Sequence, residues 1–580
     1  MKIPTFNPPC NVDDARAQAD THIAKLEESL RKLMEERNAL CYAVRLSPDI
    51  LTQIFLYVIS DIYEKNMTPI HQLYLPHVCR YWYRVASYSQ QYWRYQPLRL
   101  DGKRRFQAPH LVERAGGRPL HIWGNVFMRS CWDLSTCDPI SQHLTQAESV
   151  QISMRPKEHP WDLVDPLAPP YLATFLKKKA PNLKVLSLLK DRMYDPFSIG
   201  DDIFGGETPN LSYLSLTNFL WTWRAPLFPP TLTSLALVGP VVWSEECAQT
   251  LRRLPLLQFL GLRDTTSSDE QAPIEVVLPS NRSPSVKLDH LKVLRLEGGP
   301  VDTGMARLSL ELDVPSSTIS SIMSRHLLFR RENDSRGAYP ELAPLLSFYQ
   351  RYLESRRRDP IFAGVLHIRP EFDDSSDANF RLWFTQERIG DIDDFGKLGG
   401  VADLYLALDS FDDPQDSSKE PVVSYVEAIV STVISQLPLS SVHTLYLEDI
   451  PSISDTEKAF QGLTGVQTLI IEGGDATRIL RDLIIALPRD KSSQKKTRSE
   501  EGILLPALSN VVLASVSFSS GSGDVLTFVA NRSRLKHAVP TLKLSKCKHV
   551  SPRWLQKLRR YVAKVEWDGL GAGAGAVARA

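Results

Sequence analysis

Between Asp13 and Leu40 there is neither Pro nor Gly, and Ile23, Leu26, Leu30, Leu33 and Leu40 recur at steps of 3, 4, 3 and 7 among Lys, Glu and Arg. That spacing predicts an amphipathic helix with a narrow apolar seam. Covering about three heptads, the seam suits either a coiled coil with another chain or a helix docking back on its own protein. A second helix is signalled after Leu46, where Ser47, Pro48 and Asp49 fit an N-cap, a proline at the first helical position and an acidic first turn. Ile50, Leu51, Ile54, Phe55 and Val58 then form one broad apolar stripe. The pattern breaks over Ser60 to Pro69 and returns from Pro76 through Tyr88, with Val78, Cys79, Trp82 and Val85 spaced 1, 3 and 3 apart and Trp93 behind them. So small a helical module can form only a small core, which leaves room for another protein to complete its surface.

From residue 180 a different period takes over. Pro181-Asn182-Leu183-Lys184-Val185-Leu186-Ser187-Leu188, Pro209-Asn210-Leu211-Ser212-Tyr213-Leu214-Ser215-Leu216 and Pro230-Thr231-Leu232-Thr233-Ser234-Leu235-Ala236-Leu237 each spell Leu-x-x-Leu-x-Leu. Weaker copies are Leu257-Leu260-Leu262, Leu291-Leu294-Leu296, Val401-Leu404-Leu406, Val442-Leu445-Leu447, Val466-Leu469-Ile471, Leu508-Val511-Leu513 and Val539-Leu542-Leu544. The Leu-x-Leu half reads as a short strand with alternate residues inward, and the preceding Leu as the turn into it. The first five copies start at Leu183, Leu211, Leu232, Leu257 and Leu291, intervals of 28, 21, 25 and 34 residues. Such units resemble leucine-rich repeats, and the resemblance implies a stacked, irregular solenoid. Over 300–400 the pattern blurs into candidate strands at Leu308-Leu310-Leu312 and Val365-Leu366-His367-Ile368 and a helix from Glu341 to Arg358.

Leu46-x-Pro48-x-Ile50-Leu51-x-x-Ile54-Phe55, followed by Val78-Cys79-Arg80-x-Trp82 and a later Trp93, resembles the F-box. Members of that family hold a Skp-type adaptor of cullin-based ubiquitin ligases. By position, the resemblance implies adaptor-facing or module-core roles for Leu46, Pro48, Ile50, Leu51, Ile54, Phe55, Val78, Cys79, Arg80, Trp82, Val85 and Trp93, with Leu51, Ile54 and Phe55 as buried anchors. It covers residues 45–97 of the 580. Two departures stand out: Ser47 lies where most members have Pro after the first Leu, and the segment between the two blocks is long. The long insert and the upstream seamed helix are similar to F-box proteins abundant in mushroom-forming fungi. Without the resemblance, the same residues read as an ordinary small helical domain packing its own Trp and Leu.

The expected architecture is therefore an α+β repeat protein. It has an N-terminal helix within 1–44, a three-helix F-box-like module at 45–97, a leucine-rich repeat array at 98–567 and an unstructured low-complexity tail at 568–580. The chain of 580 residues is longer than one compact core usually supports, which suits an array.

Sixty-eight basic against 67 acidic side chains give a formal charge of +1, so no global field favours nucleic acid or an anionic membrane. Seven dispersed cysteines fit reduced thiols in cytoplasm or nucleus. No apolar run approaches the about 18 residues of a membrane helix, and no secretory leader precedes the first helix. The run Lys491 to Arg498 reads as a solvated loop in preference to a localisation signal or anion-binding patch.

Candidate chemistry is thin. Gly205-Gly206, Gly298-Gly299 and Gly473-Gly474 lack the residues that complete a phosphate cradle and read as turns. Cys131, Cys137 and His143 are unevenly spaced for zinc and lack a fourth ligand, and His71 and His77 read as solvated. No cofactor, metal or catalytic constellation is expected, so the chain reads as no enzyme. The expected function is a substrate receptor joining a Skp-type adaptor, and through it a cullin, to an unknown protein target. The alternative is a non-catalytic repeat scaffold that self-associates through its N-terminal helix.

Overall fold

The computed structural model describes residues 12–64, 74–97, 112–127, 143–155, 175–191, 197–223, 226–239, 245–264, 286–298, 308–324 except 310 and 316, 343–356, 364–372, 378–385, 404–409, 432–473 except 438, 449 and 451–459, 476–485, 503–518 and 522–569. It divides into two compact units, Met1–Pro229 and Pro230–Ala580.

The first unit begins with α1, Val12–Ala39, which carries Asp13 and Asp14 in its first turn and Arg37 in its last, as the helix dipole favours. None of its residues is buried. Helix α2, Pro48–Glu64, starts at the expected residue: the Ser47 hydroxyl accepts from the Ile50 amide at 3.4 Å and its carbonyl from Leu51 at 3.0 Å. It runs through Ser60 to Glu64, past the point where the apolar pattern weakens, because Ile59 is still packed inside. Pro76 belongs to a single 3-10 turn, Leu75–His77, and α3 spans Arg80–Tyr88. Cys79 caps α3, with its Sγ accepting from the Trp82 amide at 3.5 Å. A short helix α4, Gln90–Trp93, follows, capped by Ser89.

Helix α4 leads straight into β1, Tyr95–Pro97, which pairs in parallel with β2, Leu120–Phe127. Next come β3, Ala147–Arg155, β4, Val185–Lys190, and β6, Tyr213–Thr217, all parallel. The registers align Ile122, Val150, Leu186 and Leu214 in one column and Ile152, Leu188 and Leu216 in the next, all buried. Leu183 and Leu211, which precede the strands, are buried too. Two-residue strands β5, Phe197–Ser198, and β7, Phe219–Leu220, pair separately.

The recurring Pro-Asn-Leu acquires a reason here. The Asn182 amide donates to the Thr145 carbonyl at 2.8 Å, and Asn210 donates to the Pro181 carbonyl at 2.9 Å. Each Asn thus ties its own turn to the preceding one.

In the second unit, β8, Ser234–Gly239, β9, Phe259–Asp264, β11, Val293–Gly298, and β13, Ile319–Ser324, form a parallel run. Leu235, Leu260 and Leu294 are in register, as are Leu237, Leu262, Leu296 and Ile322. Between β8 and β9 the helix α5, Glu245–Arg252, buries Cys247, Ala248 and Leu251. The short strands β10, Val286–Lys287, and β12, Leu312–Asp313, pair apart from this run. Of the triplet Leu308-Leu310-Leu312, Leu312 is in a strand, Leu308 is helical and Leu310 lies outside the described residues. The expected helix near 341–358 is α6, Ala343–Arg356.

The parallel run is then interrupted within the stretch where the sequence pattern blurs. Strands β14, Gly364–Phe372, β15, Ala378–Thr385, and β16, Leu404–Asp409, form a meander in which β15 is antiparallel to both neighbours. β16 pairs with β13 and β14 pairs with β17, Val442–Glu448, so the three strands enter the sheet in reversed sequence order. Antiparallel neighbours need only a short link, whereas each parallel step needs a crossover. Val401 lies outside the described residues. The parallel run resumes with β18, Thr468–Glu472, β19, Asn510–Ala514, β20, Thr541–Ser545, and β21, Lys564–Trp567.

Helices α7, Ala476–Ile485, α8, Ser522–Arg534, and α9, Pro552–Leu558, accompany these strands. Leu445, Leu469, Val511 and Leu542 form one buried column and Leu447, Ile471, Leu513 and Leu544 another. On the reverse of β17 to β19, Tyr446, Ile470 and Val512 form a second buried row. Arg532 is enclosed nearby, donating to the carbonyls of Leu504 and Leu505 at 2.9 Å each and of His537 at 3.1 Å, and burial lowers its pKa to about 10.

Among the described residues, no helix is long and apolar enough to cross a membrane.

Candidate partner-binding surface

Helix α2 carries two apolar stripes where the sequence suggests one. Leu51, Phe55 and Ile59, at i, i+4 and i+8, point inward and are fully buried. They meet Val85 and Ala86 of α3 and Tyr92 and Trp93 of α4, all buried. The Phe55 ring sits edge-on to Trp82 at 5.1 Å and to Tyr92 at 5.8 Å, and Tyr92 to Trp93 at 4.9 Å. Burying each such side chain contributes about 1.5–3 kcal/mol, which holds the three short helices together. Ile50, Ile54 and Tyr57 form the outer stripe; Ile50 is 52% exposed and Ile54 41%. Val78, 59% exposed, lies in the turn before α3, whose Tyr83 is also exposed.

The sequence-assigned residues therefore separate into three groups. Ile50, Ile54, Val78 and Pro48 are exposed. Leu51, Phe55, Val85 and Trp93 are sealed inside the module, in the module-core role of the two that the resemblance implies, and they support the surface from beneath. Leu46, Cys79, Arg80 and Trp82 organise the module. The Leu46 carbonyl accepts from the Tyr81 hydroxyl at 2.6 Å, Cys79 caps α3, Arg80 pairs with Glu35 of α1 at 2.5 Å, and half-buried Trp82 leans on Phe55. Tyr57 and Tyr83 were not singled out in the sequence; the i, i+4, i+7 spacing of Ile50, Ile54 and Tyr57 is the signal that could have found Tyr57.

Beside the N-terminal end of α2, an open cleft of about 500 Å³ is lined by Pro48, Thr52, Tyr81, Arg84, Tyr88 and Arg118, among others. Arg118 is steadied by the Gln90 side chain at 3.2 Å. Behind α4, the Tyr95 and His121 rings stack at 4.7 Å, and Glu148 bridges Arg94 at 2.7 Å and Lys184 at 2.9 Å. Burial, with the Arg94 charge adding to it, pushes the His121 pKa down to about 4. The hydrogen bond from Lys184 holds the Glu148 carboxyl below its usual range. This cluster ties the end of the helical module to β2, β3 and β4.

Among the described residues no group of His, Cys, Asp or Glu is arranged to hold a metal ion. Cys131, Cys137 and His71 lie outside those residues, His143 is half-buried and His77 exposed. Cys247 and Cys547 are buried thiols, each with its pKa raised first by burial.

No protein-family model matches the chain, and no curated protein matches it. Among solved structures, a leucine-rich repeat protein of Leptospira interrogans is 14% identical, with a TM-score of 0.28, covering 81% of this chain and 94% of that one.

Proposed function

We propose that the chain is a non-catalytic receptor in which the helical module holds a Skp-type adaptor and a leucine-rich repeat solenoid holds a protein target. The observation that carries this reading is the divided α2 helix. Its inner stripe completes a core, while Ile50, Ile54, Tyr57 and nearby Val78 leave apolar surface facing outward. A domain with no partner gains nothing from displaying large apolar side chains at helical spacing on a single face. The residues that match the F-box pattern contribute two side chains to each stripe, and through the adaptor the module would join a cullin scaffold. The contribution to ubiquitin transfer is proximity: a bound target lysine is presented at raised effective concentration, with no chemistry by this chain.

The target-holding surface in this reading is the reverse of the leucine columns on β8, β9 and β11. Ala236 and Gly261 lie there half-buried beside exposed Arg295, whose guanidinium lies 5.9 Å from the Phe259 ring. The columns behind give a rigid support, and the outward residues set specificity.

Co-purification with a Skp-type adaptor, run beside an established F-box protein, tests the proposal. Retention of adaptor by both is expected. Retention by the established protein alone would remove the receptor reading.

A further inference from the structure

We propose that α1 pairs with α1 of a second copy of this chain in a parallel two-stranded coiled coil. The inference stands apart from adaptor binding and holds whether or not that reading survives. Lettered as heptads, Ile23 and Leu30 fall at a and Leu26 and Leu33 at d, with Leu40 at the next d just beyond the helix. These side chains are bare: Ile23 is 52% exposed, Leu26 and Leu30 60% each, and Leu33 62%. A helix docked on its own protein would have buried them.

A contact of α1 with its own module lies on the other side. Glu35, which pairs with Arg80, falls at f, and half-buried Asn38 falls at b. In a two-stranded coil b, c and f form the outer face, so the module grips the back of the helix and leaves the seam outward. The remaining outer positions are polar or Ala, and Glu28 and Arg31 among them form an ion pair at 2.6 Å.

The flanking polar residues point to a second copy as the occupant. In a parallel pair, g of one helix faces e of the next heptad on the other, which sets His22 against Glu27 in both directions. Arg37, at a, comes beside Glu36 at g of the second copy, and its aliphatic stem covers the seam while its head reaches that carboxylate. Antiparallel pairing about the same central leucines instead brings Glu27 against Glu27. At 28 residues the helix is about 42 Å long, and its apolar seam runs from Ile23 to Leu33 in the C-terminal part of it.

The test uses the full-length protein. Light scattering should give a mass twice the 65.4 kDa of one chain. Leu26→Glu with Leu33→Glu should weaken dimerisation at least a hundredfold and return the monomer mass, with an unchanged circular dichroism spectrum because both side chains are exposed in the single chain. Mild oxidation should link the copies through Cys41, which is exposed beside the seam's end, and Cys41→Ser should abolish that link. A wild type that stays monomeric through the micromolar range overturns the proposal. So does a dimer that survives the double glutamate variant, and a dimer without the Cys41 cross-link overturns the parallel arrangement.

Discussion

Adjacent residues on α2 should respond to the same truncation by very different amounts. Leu51 has no exposed surface and lies one turn before Phe55, whose edge-to-face packing on Trp82 and Tyr92 restricts collapse into a vacated space. Leu51→Ala should therefore cost about 3 kcal/mol, in the middle of the range for buried leucines. Ile50 is half exposed, and Ile50→Ala should change stability by no more than about 0.5 kcal/mol, helped by the better helix propensity of Ala. Hydrogen exchange of the α2 amides reads the difference locally, without requiring the whole chain to unfold in one step. At about 1.4 kcal/mol per tenfold, protection should fall roughly a hundredfold for Leu51→Ala and less than threefold for Ile50→Ala. Equal losses would refute the division of α2 into an inner and an outer stripe. For the same reason Leu51→Ala with Phe55→Ala should lose a partner by unfolding the module, a result that says nothing about which residues touch it.

Other perturbations address the rest of the chain. His121 has a folded-state pKa of about 4 against an ordinary value near 6.5, so its contribution to stability is complete above about pH 6.5 and is lost as the pH falls toward 4, where only the unfolded chain takes the proton. With the ring half-buried the effect is on the order of 2 kcal/mol, and His121→Phe, which keeps the stack on Tyr95, should flatten the melting temperature across that window. Asn210→Ala removes the amide that ties its turn to Pro181 and should cost about 1 kcal/mol in urea unfolding; no change would show that the leucine column alone sets the spacing. Arg532→Met strands three carbonyls and should cost about 3 kcal/mol or more, and Arg532→Lys should not rescue it because one ammonium cannot reproduce the fork; limited proteolysis around 503–540 reads this out.

How far the sequence revealed this molecule depended on whether a single side-chain type marked each role. The columns through Leu186, Leu214, Leu235 and Leu260 were legible because every inward place is Leu and every strand is introduced by another buried Leu. β13 escaped notice because Ser320 occupies a leucine place, and Thr318, donating to the Leu291 carbonyl at 2.7 Å, sits fully buried before the strand. The β14 to β16 meander was hidden for a different reason: alternation marks a strand but carries no sign of its direction. Val365 to Ile368 therefore read correctly as a strand while its antiparallel partner went unseen. On α2 five apolar positions were found and Tyr57 and Ile59 were missed, and periodicity cannot say which edge of a broad stripe faces the core; the tertiary positions of Trp82 and Tyr92 decide that. The α1 seam was plain, but periodicity alone carries no sign of whether its own chain covers it.

The central claim is that the outer stripe of the helical module is a docking surface for a Skp-type adaptor. Calorimetric titration of the purified adaptor into wild type and into Ile50→Asp with Ile54→Asp tests it most directly, alongside melting curves of both proteins. The account predicts saturable binding by the wild type and at least a hundredfold loss in the variant, with melting unchanged because both positions are exposed. Equal affinity in the two proteins, or no binding by a folded wild type, would contradict it.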